Sequence, residues 1–457
     1  MEQIYEGLLQ LVRDTRQALK QGAAAVHERQ RTRFAAMVTY ARSHSPYYRE
    51  LYKGIPAQVE DTRLLPPTSK NALMACFDEW ATDRDLTLEK ARTFAANPEL
   101  IGERFLGRHT VATTSGTTGI PGIFVIDDRA MRVTNALLLR MVQAWIGVTD
   151  VLKLVAGGRR LAMVADLGHH SATSVAAARL LKSPSRRKRI QLLSVRTPLS
   201  ELVAQLNAFR PVLLAPYASM AKLLASEQEA GRLQIHPVLI ALAAEGLPLH
   251  EYGRIARVFE AKVGNSYAAT ECPFLSYGCN EKWLHVNADW VLLEPVDADH
   301  RPVAPGKQSH TVLLSNLANR VQPILRYDLG DSVLQRPDPC PCGNPLPAIR
   351  VRGRSADVLS FRTSDGAQVS IAPLAFEVDH VPGVEQFQIV QTTPASLRVR
   401  LRRAPDADPD PIWQAVHADI ARVLAHHGLD GVSVERADEL PQQSAGGKYR
   451  TVVPLQD

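Results

Sequence analysis

Apolar residues recur every three or four positions through the first hundred residues of the chain. The clearest runs are LLQLVRDTRQAL at 8–19 and RFAAMVTYARSH at 33–44. This spacing is typical of amphipathic helices, and proline ends or bends a helix. The pattern therefore predicts a mostly helical lead-in, interrupted at the prolines Pro46, Pro56, Pro66 and Pro67.

The pattern changes at Val111 and again after Gly353. Strand-like apolar runs at 161–166, 211–216 and 237–244 alternate with helix-like segments, which indicates layered α/β structure. Strand-like runs dominate 289–333 and predict a β-rich subdomain. After Gly353 we expect paired strands at 384–391 and 396–403, a helix at 412–428 and a strand at 432–440. The fold class is therefore predicted as α/β, with a large domain at 1–352 and a small α+β domain at 353–457.

Composition and charge exclude several classes of protein. The chain has 457 residues, 45% of them hydrophobic and 22% charged, which is typical of a globular protein. Its formal net charge of +6 is too small for a dedicated nucleic-acid binder. The longest apolar run, at 136–148, contains Arg140 and is too short to span a bilayer. Five cysteines, an odd number, favour a reducing compartment. We therefore expect a cytoplasmic protein with no nucleic-acid or membrane partner.

A short segment rich in glycine and hydroxyl side chains lies between strand-like runs at 109–112 and 123–127. It has the sequence TTSGTTGIPG, from Thr113 to Gly122. Such residues allow backbone N–H groups and hydroxyls to approach a polyphosphate closely. The segment lacks the Gly-Lys-Ser/Thr of the Walker pattern, and no helix obviously begins there. It is either a phosphate loop or a polar surface hairpin.

Four further motifs follow in order, and together with that segment they resemble the adenylate-forming superfamily. This superfamily contains acyl-CoA synthetases, peptide-synthetase adenylation domains and luciferases. The motifs are YAATE at 267–271, YDLGD at 327–331, GRSAD at 353–357 and GGK at 446–448. The segments at 43–54, 65–73, 244–247, 279–285 and 340–343 are similar to those of the phenylacetate–CoA ligase-like branch. The resemblance covers nearly the whole chain and implies the adenylate-forming fold.

The resemblance implies a site for ATP and Mg²⁺. Asp331 would accept hydrogen bonds from both ribose hydroxyls, Tyr267 would pack on adenine, and Thr270 would contact the α-phosphate. Glu271 would ligate Mg²⁺, which prefers carboxylate oxygens. The remaining nucleotide-binding residues lie in the phosphate loop and in the adenine slot: Thr114, Ser115, Gly116, Thr117, Thr118, Gly119, Glu245 and Gly246.

The resemblance also implies a catalytic lysine on a mobile domain. Lys448 would lie between the acid carboxylate and the α-phosphate and would neutralise charge there. Arg354 belongs to the hinge about which the small domain would rotate. The chain departs from the family at two positions: Gly122 stands where a lysine is common, and Ala356 stands where the pivot is usually Asp or Lys.

The cysteines form a second constellation. Cys279 and His285 are followed some 55 residues later by Cys340 and Cys342, a Cys₃His set suited to tetrahedral structural zinc. The Cys-x-Cys spacing is tighter than usual, and the resemblance to metal-carrying members of the branch favours the metal over reduced core cysteines. Cys272 is the competing ligand, although we expect it to line the pocket.

The predicted function is ATP-dependent ligation of a carboxylic acid to a thiol, with release of pyrophosphate. The resemblance favours an aromatic acid, with His169, His170, Tyr217 and Ala268 near the acyl site. Coenzyme A is the expected acceptor, and carrier-protein phosphopantetheine or an amine is the alternative. A non-catalytic nucleotide-binding protein is a further alternative, and a homodimer is expected. The basic run SPSRRKR at 183–189 is either a solvated face or a site for acceptor phosphates or an acidic carrier.

Overall fold

The structure is a computed structural model of the chain. It describes residues 7–59, 61–114, 122–167, 170–242, 246–247, 249–354, 359–363, 368–371, 375–376, 378, 381–405, 407–443 and 449–455.

The described residues before position 100 are mostly helical, as the periodicity predicts, and eight further helices lie in the rest of the described chain. The helices are α1 (Leu8–Gln21), α2 (Ala23–His44), α3 (Pro46–Leu51), α4 (Lys70–Ala75), α5 (Phe77–Trp80), α6 (Leu88–Ala96), α7 (Asp128–Trp145), α8 (Val148–Ala156), α9 (Ala172–Leu181), α10 (Pro184–Arg187), α11 (Leu199–Phe209), α12 (Ala218–Glu229), α13 (Leu249–Phe259) and α14 (Pro409–His426). Short 3₁₀ turns occur at Thr62–Leu64 and Pro98–Leu100. None of these helices, within the described residues, is long and apolar enough to cross a bilayer.

Twenty strands form five sheets in the described part of the chain. The strands are β1 (Thr110–Thr113), β2 (Ile123–Ile126), β3 (Leu161–Ala165), β4 (Ile190–Ser194), β5 (Leu213–Pro216), β6 (Leu239–Leu242), β7 (Lys262–Ala269), β8 (Cys272–Gly278), β9 (Leu284–Val286), β10 (Val291–Val296), β11 (Thr311–Asn316), β12 (Ile324–Asp328), β13 (Asp331–Gln335), β14 (Ala348–Arg354), β15 (Leu359–Arg362), β16 (Gln368–Ile371), β17 (Val384–Thr393), β18 (Ser396–Arg403), β19 (Ser433–Arg436) and β20 (Val452–Val453). The predicted α/β fold class is confirmed.

The largest sheet has nine strands in the order β13-β14-β9-β8-β7-β6-β5-β3-β4. The strands from β7 to β4 pair in parallel, and those from β8 to β13 pair antiparallel. We call the edge at which the five parallel strands end the carboxyl edge, and the opposite edge the amino edge. Because parallel strands need crossover connections, helices cover this half of the sheet.

Helix α1 is joined to α7 by Arg140, whose guanidinium donates to the carbonyl of Thr15 at 2.8 Å. Arg140 of α7 is 4% exposed, and its guanidinium donates to both carboxylate oxygens of Asp289, at 2.8 and 2.7 Å. In α1, Asp14 accepts from Arg29 and Arg33 of α2, at 2.9 and 2.5 Å. Burial alone would raise the pKa of Asp14, but the two guanidinium groups outweigh it and lower that pKa.

Residues after β14 contain a hydrophobic core of their own. Its buried members run from Leu359 to Val452, and they come from the β17–β18 hairpin, α14 and the short strands around them. The four-stranded sheet has the order β19-β18-β17-β20, in which α14 connects β18 to the parallel strand β19. The predicted strands at 384–391 and 396–403 and the predicted helix at 412–428 therefore occur as expected.

Candidate functional site

The predicted site residues follow the ends of different parallel strands. Asp166 and His170 come after β3, Tyr217 after β5, Gly246 after β6, and Thr270 after β7. Parallel strands bring their carboxyl ends to one edge, so residues more than a hundred positions apart in sequence meet there. Open α/β sheets bind ligands at this edge.

A crevice is expected where the direction of the crossovers reverses. Within the sheet, β4 lies on one side of β3, whereas β5 and β6 follow one another on the other side of β3. At this switch point the Tyr217 hydroxyl accepts from the backbone N–H of Asp166, at 3.3 Å. The carboxylate of Asp166, which is buried, lies 3.2 Å from Nε of the half-exposed Arg196. Asp166, which follows β3, and the predicted acid-site residue Tyr217, which follows β5, are therefore in direct contact.

Glu271 lies in the tight turn between β7 and β8 and is 8% exposed. The Tyr327 hydroxyl of β12 donates to its Oε1, at 2.8 Å, and Asn316 of β11 donates to its backbone carbonyl, at 3.0 Å. A buried carboxylate with such partners keeps a fixed direction. The geometry suits a ligand for a hard cation, which the resemblance assigns to Glu271.

Asp331 is the first residue of β13 and is 8% exposed. The hydroxyl of Tyr267, in β7, donates to its Oδ2 at 2.6 Å. Gly330, just before it, has φ of +76°, a conformation that favours glycine. The two residues predicted to contact the adenosine of ATP, 64 positions apart in sequence, are therefore in direct contact.

The predicted phosphate loop is closed at its base by a β-hairpin of β1 and β2. The hydroxyl of Thr114 accepts from the backbone N–H of Gly122, at 2.8 Å, and Thr114 N–H donates to the Gly122 carbonyl, at 2.9 Å. A Cβ at Gly122 would lie 2.7 Å from the ring of Phe124, so the approach requires glycine. Ser115, Gly116, Thr117, Thr118 and Gly119 lie outside the described residues.

His170 contacts the base of this loop. Its carbonyl accepts from the N–H of Thr113, at 2.6 Å, and its Nε2 lies 3.0 Å from the carbonyl of Asn97. The side chain is 2% exposed and packs on the ring of Phe94, 5.5 Å between centroids. It therefore links the loop to the helical lead-in. Ala268 is exposed on β7, whereas His169 and Glu245 lie outside the described residues.

Lys448 also lies outside the described residues, but the segments on both sides of it are described. We call residues 444–448 the lysine loop. Gln443 and Tyr449 pair across its base. The side-chain amide of Gln388 in β17, 3% exposed, donates to the carbonyls of Gln442 and Arg450, both at 3.0 Å. Its Oε1 accepts from Gln442 N–H at 3.2 Å and from Arg400 at 2.9 Å. One buried glutamine thus holds both stems of the loop.

The hinge segment is described up to Arg354, whose backbone ends β14 opposite Asp331. Ala356 and Asp357 lie outside the described residues. The predicted nucleotide-binding residue Asp331 and the predicted hinge residue are therefore neighbours on one ladder.

Cys279, His285, Cys340 and Cys342 come together, with their ligand atoms within 4.8 Å of one another. Cys279 and Cys340 have sulfur atoms 3.8 Å apart, and His285 Nε2 lies 3.2 Å from the Cys342 sulfur. With zinc–sulfur bonds of about 2.3 Å, a tetrahedral site places its sulfur atoms roughly 3.8 Å apart. The other ring nitrogen of His285 donates to the carbonyl of Leu346, at 3.0 Å, which leaves Nε2 as the metal-facing atom.

The chemistry of these four side chains fits a metal ion. Burial, together with the thiols of Cys340 and Cys279 beside it, raises the pKa of the Cys342 thiol to about 12. Thiols held this close are stabilised as thiolates by a divalent cation. Cys272, the competing ligand, is buried elsewhere, next to Glu271, and burial raises its pKa as well.

The basic run at 183–189 lies at the amino edge. Arg189 immediately precedes β4, and its carbonyl accepts from the N–H of Leu161, the first residue of β3, at 2.8 Å. Strands of five residues separate the two edges by roughly 16 Å. This placement counts against the hypothesis that the run receives the phosphates of an acceptor at the carboxyl edge.

Sequence reasoning missed three polar residues of the site. Asn316, in β11, contacts the backbone of Glu271, and Arg196, in the turn after β4, contacts Asp166. Gln388 belongs to no motif of the resemblance. Gln388 lies between Phe387 and Ile389, where alternation of apolar and polar residues predicts an exposed side chain, yet the structure buries it. The sequence pattern therefore carried no signal for this residue.

Comparison with solved structures identifies the architecture. The chain is similar to 2-hydroxyisobutyryl-CoA ligase in the postadenylation state in complex with 2-HIB-AMP, with a TM-score of 0.66 and 20% sequence identity. The match covers 95% of this chain and 89% of the ligase. The chain has the adenylate-forming fold. A second structure of that ligase, in the thioesterification state with 2-HIB-AMP and CoA, has a TM-score of 0.56 and 20% sequence identity to this chain. This match covers 96% of this chain and 91% of the ligase.

A benzoate CoA ligase from Burkholderia xenovorans LB400 shares the adenylate-forming fold over 74% of this chain and 67% of its own length, with a TM-score of 0.51 and 14% identity. No protein-family model matches the sequence, and no curated protein matches it.

Proposed function

We propose that the chain is an ATP- and Mg²⁺-dependent ligase that activates a carboxylic acid as the acyl-adenylate and passes the acyl group to a thiol. The observation that carries this proposal is the group of polar residues at the carboxyl edge. There the fixed carboxylate of Glu271, the Tyr267–Asp331 pair and the base of the phosphate loop adjoin the crevice at Tyr217. The fold is that of ligases whose structures hold acyl-AMP molecules.

In the first half-reaction an oxygen of the acid carboxylate attacks the α-phosphorus of ATP. A new oxygen–phosphorus bond forms, the bond to the bridging oxygen breaks, and pyrophosphate leaves. Lys448 neutralises the charge shared by the carboxylate and the α-phosphate, with Thr270 beside it. Glu271 would hold Mg²⁺, which supplies charge neutralisation for the phosphates. Asp331 accepts from the ribose hydroxyls after Tyr267 has fixed the direction of its carboxylate.

In the second half-reaction the acceptor sulfur attacks the carbonyl carbon of the mixed anhydride. AMP leaves, and the thiol proton passes to solvent. We propose that residues 353–457 form the mobile domain that brings Lys448 to the first reaction and withdraws it for the second. The separate core at 359–452 supports this division from the large domain, 1–352. Coenzyme A is the proposed acceptor, with carrier-protein phosphopantetheine or an amine as the alternative.

We propose an aromatic acid as substrate, held in the crevice near Tyr217, Ala268 and His169. Small branched 2-hydroxy acids belong in the same test, because the ligase at TM-score 0.66 holds 2-HIB-AMP. We propose a structural zinc ion at the Cys₃His cluster, remote from the reacting atoms. A homodimer and a cytoplasmic location stay predictions.

The experiment that tests this proposal is ATP–pyrophosphate exchange over a panel of benzoic, hydroxybenzoic, phenylacetic and 2-hydroxyisobutyric acids. We expect exchange with one of them, abolished by Lys448→Ala and retained by Lys307→Ala, which removes an exposed lysine elsewhere. Products formed with coenzyme A, a carrier protein or an amine then identify the acceptor by mass. ATP binding without exchange across the panel would favour the non-catalytic nucleotide-binding alternative.

A further inference from the structure

Helix α8 exposes an apolar stripe. Val148, Val151, Leu152 and Val155 are 81%, 46%, 65% and 48% exposed. They occur at positions i, i+3, i+4 and i+7, so they share one face of the helix. Contiguous apolar patches of this kind on a soluble domain mark a binding surface.

The opposite side of α8 lies across the amino edge of the large sheet. Asp150, which is buried, is 2.7 Å from Nζ of Lys262, the first residue of β7. At the other end of the helix, a Cβ on Gly157 would lie 2.2 Å from Val212, the residue before β5. The helix therefore runs along the starts of β7, β6 and β5, and its stripe faces outward as a convex ridge.

Seven basic residues continue this surface past the end of α8. Arg160 donates to the carbonyl of Arg210, at 2.8 Å, and Arg189 lies beside the start of β3. No carboxylate of the described chain forms an ion pair with any of the seven. We call this group the basic cluster: Arg159, Arg160, Arg186, Arg187, Lys188, Arg189 and Arg210.

The seven positive charges of the basic cluster are comparable in number to the +6 net charge of the whole chain. Because no carboxylate of the described chain forms an ion pair with them, this part of the amino edge carries a local excess of positive charge. The attraction of this surface for an anionic partner is correspondingly local.

We propose that the α8 stripe and the basic cluster together bind an anionic lipid surface. An amphipathic helix inserts its apolar face into the headgroup region, and neighbouring Lys and Arg side chains are attracted to anionic lipids. Stable peripheral binding requires two such signals, and both occur here side by side. A protruding helix face can insert into a planar bilayer without a matching groove. A protein that bound this helix would need to supply a complementary groove.

The location at the amino edge favours a membrane over an acceptor carrier protein. A carrier docked here would stand on the side of the sheet opposite to the carboxyl edge, where Glu271 and Asp331 lie. A membrane bound at the amino edge leaves that site facing away from the lipid and accessible to small molecules. This inference revises the expectation of no membrane partner, which rested on the lack of a segment able to span a bilayer.

The test is co-sedimentation of the full chain with vesicles of phosphatidylcholine, alone or mixed with phosphatidylserine, at low and high salt. One variant carries Val148→Glu and Leu152→Glu; a second replaces Arg186, Arg187, Lys188 and Arg189 with Gln. Leu64→Glu is the matched control, because Leu64 is 50% exposed in the N-terminal region. Thermal unfolding verifies that each variant is folded.

We expect binding to the mixed vesicles only, weakened by high salt. The second variant should lower the partition coefficient on the order of 1,000-fold, and the first should lower it about tenfold or more. The Leu64→Glu control should bind like the native chain. Absence of binding to mixed vesicles, or binding that survives both variants, would overturn the proposal. Self-association through the same residues without vesicle binding would instead make this surface a protein interface, and would also overturn it.

Discussion

Substitution of Gln388 by leucine tests whether the lysine loop must be held in place for adenylation. The buried amide makes three hydrogen bonds to the stems of the loop, two to carbonyl oxygens and one from the N–H of Gln442. Leucine has a similar volume but no polar atoms. The core around β17 stays filled, while both stems lose their side-chain hydrogen bonds to Gln388. The main-chain pairing of β20 with β17 remains.

The magnitude follows from the number of bonds. A hydrogen bond contributes about 1 kcal/mol net, so three contribute about 3 kcal/mol to holding the stems. Since roughly 1.4 kcal/mol corresponds to a tenfold change in rate, the adenylation rate should fall on the order of 100-fold. The KM for ATP should change little, because Tyr267 and Asp331 belong to the proposed large domain, whereas Gln388 belongs to the proposed small domain.

The assay measures the two half-reactions separately, by pyrophosphate exchange and by thioester formation from preformed acyl-adenylate. Gln391→Leu is the matched control: Gln391 lies on the same strand, is 4% exposed, and donates to the Ser360 carbonyl at 2.8 Å. It should leave exchange near the native rate. In the Lys448→Ala background, Gln388→Leu should cause no further loss. Equal loss of both half-reactions, or equal loss in the two glutamine variants, would refute the reasoning.

Three further predictions concern the metal cluster, the nucleotide site and acid stability. Cys342→Ser should lower bound zinc, measured by atomic emission, from about one ion per chain to roughly a tenth of that. The control variant Cys76→Ser should leave the zinc content unchanged. A native chain that is purified without chelators and contains no zinc would contradict the site. Tyr267→Phe removes the 2.6 Å hydrogen bond to Asp331 and should raise the KM for ATP about tenfold; an unchanged KM would show that Asp331 needs no such partner. The pKa of Asp14 lies below its ordinary 3.8, so its contribution to stability is complete above that pH and is lost as the pH falls through the folded-state pKa. Asp14→Asn should therefore be less stable than the native chain at neutral pH and lose less stability on acidification in thermal unfolding, and identical acid profiles would exclude this role.

Much of the architecture was predictable because it depends on local pattern. The apolar spacing at 8–19 and 33–44 predicts α1 and α2, and the alternation at 396–403 predicts β18, since both depend on which face of an element is buried. The Cys₃His cluster was predictable because three cysteines and a histidine at such spacings have few other uses together. Strand order was not predictable. It depends on long-range pairing, and so does the contact between Tyr267 and Asp331.

The α8 stripe shows why periodicity alone misleads. Its spacing is that of a helix that buries one face, and the natural expectation is that this face lies in the core. The structure buries Asp150 instead, because the carboxylate caps Gly147 and pairs with Lys262. A local ionic contact thus selects the orientation of the helix. Sequence pattern predicts that a stripe exists, but not which side of it faces the protein.

Strand β14 connects two features that would otherwise be distant. At one end, Ala348 and Ile349 pair with His285 and Leu284, so this end is anchored to the cysteine cluster. At the other end, Arg354 pairs with Asp331, the first rung of the β13–β14 ladder. The rotation that we propose for the small domain about Arg354 would therefore act on a strand that is fixed at its far end by its pairing with β9. The residue pair at which this proposed rotation begins, Arg354 and Asp331, also includes the proposed ribose contact. The rotation of the small domain and the binding of the nucleotide would therefore act on the same pair of residues.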